Sequence, residues 1–277
     1  MDNVGISLAT VPPTLRQRRL ALTAIALVIA AYGAIAPFAA IPLPRIVGYV
    51  PVVEGMVFVA ELVTAIFLYS QFSVAGSRSV CVLASGYLFS ALIVVPHVLT
   101  FPGAFGTANF LGAGLQSAGW LYIAWRFGFP VAVVWYAFLK DGRHTKTATQ
   151  SSRLSAIRWS VIIVASLTCG ITWLVTGGND YLPRLMLDET RFSSLAHLVS
   201  AIDLSISAFA LVLLWTRRVS LLDQWLMVAL CALVAELGLT AFVLEARFNL
   251  GFYTERLCSD FFNCAVGSDA GRIGSRI

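Results

Sequence analysis

Eight side chains carry the chemistry open to this sequence: Glu61, His97, Trp120, Tyr122, Trp125, Arg126, Asp203 and Glu236, each within or at the end of a long apolar stretch. An ionised group at mid-bilayer costs on the order of 3 kcal/mol on insertion scales, so such groups face one another rather than lipid. Counted at ~1.5 Å per residue, Arg126, Asp203 and Glu236 stand about 12 Å below the outer boundary of their stretches, and Glu61 stands near the middle. Three charges at one level on three helices predict a cluster. Either that cluster, with His97 and the three aromatics, binds a small ligand or cofactor, or Arg126 neutralises Asp203 or Glu236 so that the bundle can pack.

Other chemistries find less support. His97 and His197 lie at similar outer depths, where paired axial ligation of a haem competes with ordinary hydrogen bonding. No metal site and no cofactor is assigned. Cys81, Cys169, Cys231, Cys258 and Cys264 show no CxxC spacing and receive no redox role. The only lysines, Lys140 and Lys146, lie beside or within a polar connection, which excludes a retinal Schiff base inside a span. No nucleophile with its base, glycine-rich nucleotide loop, kinase signature or cyclase signature can be assembled, so a non-enzymatic role is expected.

The elements that must position these groups follow from composition. The chain is 58% hydrophobic and 12% charged, with a mean hydropathy of +0.83, more apolar surface than a water-soluble domain can hide. A spanning helix needs roughly 20 apolar residues. Seven stretches qualify: Leu20 to Ala40, Val52 to Phe72, Val80 to Leu99, Ala118 to Leu139, Trp159 to Thr176, Leu195 to Trp215 and Leu222 to Leu244. The two-residue alternation of a membrane barrel is missing. The fold class is therefore all-α, a polytopic transmembrane helix bundle of about seven spans. At 100° per residue Glu54, Glu61, Thr64 and Gln71 share one quadrant of the second helix, and Ser193, His197, Ser200, Asp203 and Ser207 form a stripe on the sixth. Both stripes point into the bundle.

Charge sets the orientation. With the N-terminus inside, Arg16, Arg18, Arg19, Arg78, Lys140, Arg143, Lys146, Arg153, Arg158, Arg217 and Arg218 are cytoplasmic, and Arg45, Arg184 and Arg191 lie in outer loops. Eleven against three follows the positive-inside rule. The net charge of +5 is thereby a topological signal, and nucleic acid is not an expected partner.

The stretches Phe58 to Phe72, Leu83 to Gly103, Gly112 to Phe138 and Gly251-Phe252-Tyr253 resemble the bacterial membrane-associated sensor domains of the MASE group, most closely the fourth type, over about residues 51 to 253. Glu61, Gln71, His97, the Phe101-Pro102-Gly103 turn, Trp120, Tyr122, Trp125 and Pro130 match the family pattern. The resemblance implies a multi-pass sensory input domain of the bacterial inner membrane, of the kind joined to diguanylate cyclases or histidine kinases. Its partners would be the bilayer, an unidentified small ligand, and further copies of itself or related sensors. The family pattern has eight helices. Here Asp260, Asp269, Arg272 and Arg276 interrupt the region after Leu257, so the division expected is a cytoplasmic segment 1–19, a sensor domain 20–253 and an atypical tail 254–277, with the last helix and the output module missing. A small transporter or channel using the intramembrane carboxylates is the alternative.

Overall fold

The computed structural model describes residues 12–105, 110–140, 149–217 and 220–256. They form seven long α-helices: α1 Leu15–Ile35, α2 Tyr49–Ala75, α3 Arg78–Thr100, α4 Ser117–Leu139, α5 Gln150–Gly177, α6 Ser194–Thr216 and α7 Leu221–Phe242. Each is long and apolar enough to cross a membrane. Their boundaries differ from hydropathy where polar caps decide them. Helix α1 starts at Leu15 rather than Leu20 because Thr14 caps it: the Thr14 hydroxyl accepts from Gln17 N at 3.3 Å and the Gln17 side chain accepts from Thr14 N at 2.9 Å. It ends at Ile35, ahead of a 3-10 turn, Ala36–Phe38, that holds Pro37. Helix α5 begins at Gln150 rather than Trp159, so Arg153 and Arg158 lie on helix and not in a linker.

Helix α3 packs against α2, α4 and α5, while α7 packs against α6 and α1 and α4 meets α6. The α3–α4 contact depends on small residues, since a Cβ on Gly86 would stand 2.3 Å from the Ala132 Cβ and one on Gly128 2.4 Å from the Phe89 ring. Such close approach gives membrane helices the dispersion contact that a hydrophobic effect between them cannot supply. Leu83, Tyr87, Leu121, Trp125 and Leu230 fill the centre. Apolar side chains such as Leu27 and Ile29 on α1 and Ile163 and Trp173 on α5 are exposed, the surface that a bilayer covers.

The two ends are built differently. At the basic end Arg153 donates to the Val74 and Ser73 carbonyls at 2.7 and 3.1 Å, satisfying the last turn of α2. There too Asp223, fully buried, pairs with Lys140, accepts from the Tyr136 hydroxyl at 2.8 Å and forms a capping box with Ser220. At the other, loop-rich end, isolated antiparallel bridges join Pro42 to Asn249, Met186 to Phe192 and Arg191 to Ala246. The Phe101-Pro102-Gly103 turn needs its glycine: φ there is +72°, and the Arg45 guanidinium, which donates to the Pro102 carbonyl, occupies the place of a Cβ.

From that end the chain turns back into the bundle, and residues 250–256 are helical. The Tyr32 hydroxyl donates to the Glu255 carbonyl at 2.9 Å, Thr240 meets the Glu255 carboxyl at 3.1 Å, and Arg256 pairs with Glu54. Residues 254–256 continue a helix inserted between α1, α2 and α7, and residues 15–19 belong to α1. Cys258, Cys264, Asp260 and the remaining tail lie outside the described residues, as do Arg143, Lys146 and Arg218.

Candidate functional site

The polar residues of the bundle gather in two tiers. In the deeper tier Arg126 on α4 reaches Glu236 on α7 at 2.6 Å, both almost fully buried. The Tyr122 hydroxyl, one turn up α4, donates to the same carboxylate oxygen at 3.0 Å. The guanidinium lies 4.1 Å from the centroid of the Trp125 ring, whose face adds cation–π attraction. Arg126 thus takes Glu236 as its ion-pair partner. Asp203, buried on α6, stands within electrostatic reach of Arg126 and Glu236, yet neither of its carboxylate oxygens meets a hydrogen-bond partner among the described residues. Glu61 lines a separate, smaller cavity with Ser90, Trp125, Arg126 and Phe129.

The tier nearer the loops is organised by Glu54, a full turn inside α2. His97 donates from Nδ1 to one oxygen of its carboxylate at 2.6 Å, and Arg256 donates to the other. All three are buried. Pro96 leaves His97 in the last turn of α3, where its ring lies 5.9 Å from Trp125 and 6.1 Å from Tyr122. Those aromatics join the tiers.

Between the tiers and the loops lies a cavity of about 540 Å³, counting its open margin. Its floor is His97, Tyr122, Thr240, Glu255 and Arg256, and its walls include Phe101 and Phe252 from the loop-rich end. A further wall, Leu185 and Met186, is fixed by Gln116: the side-chain carbonyl accepts from Leu185 N at 2.7 Å and Met186 N at 2.9 Å, while its amide donates to the Met186 carbonyl at 2.9 Å. Ser200 and half-buried His197 bring the α6 stripe to the margin. Arg247, in the turn after α7, completes it. The residue is 7% exposed, and its guanidinium donates to the Glu189 carbonyl at 3.5 Å. Burial, with Arg256 and Arg45 nearby, draws its pKa down to about 10, which still leaves it charged at neutral pH.

The eight expected residues therefore separate. His97, Tyr122, Trp125, Arg126 and Glu236 form one connected group; Asp203 lies beside it and Glu61 in the deeper cavity. Trp120 stands apart, donating from its indole to the Pro183 carbonyl at 3.1 Å in the α5–α6 loop. Glu54, Arg247, Glu255 and Arg256 belong to the site without having been expected there. The outer-loop charge count likewise omits Arg247 and Arg256, both of which are buried at that end. A signal for Glu54 exists in its seven-residue spacing from Glu61 on one helix face.

A family model described as a membrane-associated sensor, integral membrane domain (MASE4) matches residues 44–263. The match is wider than residues 51 to 253 and continues through the helical segment that enters the bundle. No curated protein and no solved structure matches the chain.

Proposed function

Since the chain belongs to the family of membrane-associated sensors, whose integral membrane domain it carries, we propose that the cavity at the loop-rich end is the input site, and that its occupancy sets the position of residues 250–256. One observation carries this: Phe252, Glu255 and Arg256 line the cavity, and Glu255 and Arg256 also make the contacts that seat the segment against α1, α2 and α7. A molecule in the cavity touches the segment directly. The two bundle states must then differ in affinity for it, which is what converts binding into a shift of population.

The module acts by packing and performs no reaction. The basic end, with Arg16, Arg18, Arg19, Arg78, Lys140, Arg153, Arg158 and Arg217, faces the cytoplasm of a bacterial cell, in keeping with the positive-inside rule. The response is read there by a diguanylate cyclase or histidine kinase, the outputs that the resemblance implies. The test is a thermal-shift screen of small molecules against the purified protein in nanodiscs, repeated with Ser200→Trp, which fills the cavity. Compounds that stabilise the native protein lose their effect in the filled variant while its helical content is retained. Stabilisation that survives the filling, or none from any compound, would overturn the assignment of the site.

A further inference from the structure

Two of the charged groups lining the cavity, Glu255 and Arg247, have no ion-pair partner among the described residues. Arg256 is held by Glu54, Arg126 by Glu236, and Glu255 is turned toward Thr240. Arg247 has no carboxylate ion-pair partner among the described residues. Glu189 offers it a main-chain carbonyl at 3.5 Å, while the Glu189 carboxylate reaches toward Arg45 at 3.9 Å and is largely exposed. An arginine more than nine-tenths buried, lining a cavity with Glu189 and Glu54 in electrostatic reach but no carboxylate at ion-pair distance, leaves room for an anion.

Resting on the reading of this cavity as the input site, we propose that the ligand is a small organic carboxylate, its head received by Arg247 and its apolar body held against Phe101, Phe252, Leu185 and Met186. The planar guanidinium offers two parallel donors that match a carboxylate. Its guanidinium carbon lies 5.0 Å from the centroid of the Phe101 ring. A single guanidinium favours a single negative charge. The Glu255 carboxyl in the same floor opposes a second, so a phosphate dianion fits less well than a carboxylate. The remaining walls are mostly aliphatic and aromatic, which selects an apolar body over a sugar or an amino acid.

Such an acid is supplied either from water, as a short free acid, or from the bilayer, as a fatty acid. Hexanoate and its neutral counterpart hexanamide are titrated against the protein in nanodiscs, with and without oleate in the bilayer, for the native chain, Arg247→Gln and Arg247→Lys. Hexanoate binds at least tenfold more tightly than hexanamide; Arg247→Gln abolishes that preference, and Arg247→Lys, which keeps the charge without the fork, retains part of it. The unliganded unfolding temperature and helicity of each variant are recorded, so that a folding defect is seen as such. Displacement of hexanoate by oleate assigns the bilayer as source, and its absence assigns water; the carboxylate stands in either case. Equal binding of acid and amide, or indifference to Arg247→Gln, overturns the carboxylate while leaving the input site intact. Binding of neither probe at millimolar concentration overturns both.

Discussion

Glu236→Gln tests how the bundle tolerates its deepest charges. The substitution keeps the volume and an oxygen that can accept from Tyr122, but removes the negative charge that Arg126 reaches at 2.6 Å. Two unit charges ~4 Å apart attract by about 4 kcal/mol at an effective dielectric of ~20, and removal of one member of a buried pair costs about 3–5 kcal/mol. Both side chains are almost fully buried, so the upper half of that range applies. Replacing both, Arg126→Met with Glu236→Leu, removes the desolvation penalty together with the attraction and should cost under ~1 kcal/mol. Reversible unfolding in mixed detergent and sodium dodecyl sulfate micelles, followed by far-ultraviolet circular dichroism, gives the stabilities of the native chain, Arg126→Met, Glu236→Leu and their double, the four corners of the cycle, with Glu236→Gln beside them. With each single loss at about 4 kcal/mol and the double loss under ~1 kcal/mol, a coupling energy of about 7 kcal/mol is expected. Additive losses, or a loss under about 1 kcal/mol in Glu236→Gln, would refute the pairing and show that Asp203 or Glu61 neutralises Arg126 instead.

Three further outcomes follow from the packing. Gly86→Ala places a methyl 2.3 Å from the Ala132 Cβ and should destabilise by about 1–3 kcal/mol through overpacking, whereas Gly170→Ala, with nothing within 4 Å, should be neutral or stabilising; the same unfolding assay separates them. Asp203→Asn should leave stability unchanged or raise it in that assay, because the buried carboxylate makes no hydrogen bond that the amide would lose. Asp223→Asn weakens the pair with Lys140 and the Ser220 cap at the basic end and should cost about 3 kcal/mol, seen as a lower thermal midpoint and faster hydrogen exchange at the start of α7.

Much of this bundle is legible in sequence because lipid leaves the backbone few choices. Apolar runs of spanning length must be helices, and intramembrane charges must face one another, which is why depth alone sets Arg126, Asp203 and Glu236 at one level and leaves Arg126 a choice between the two acids. The site nearer the loops resisted the same logic. Thr254, Glu255 and Arg256 end an apolar run, and hydropathy cannot distinguish polar residues that leave the membrane from polar residues that pair inside it. The distinction is tertiary: Arg256 is buried because Glu54 waits for it on α2, 202 positions away in sequence. Glu54 shares the inward face of Glu61, and its carboxylate takes both His97 and Arg256 as partners. Arg247 lies in a short turn with nothing local to mark it, and only the return of the chain past Asn249 sets it at the cavity wall. Trp120 lies close to Tyr122 and Trp125 on α4, while its indole donates to the α5–α6 loop.

The coupling between the cavity and residues 250–256 is most directly tested by hydrogen exchange of their amides, resolved by mass spectrometry, with the protein in nanodiscs and hexanoate either absent or saturating by thermal shift. Occupancy that fixes the segment against α1, α2 and α7 slows exchange at 250–256 at least tenfold and leaves the basic-end turn of α7 unchanged. Hexanoate bound, by the same thermal shift, with exchange at 250–256 unaltered would contradict the account.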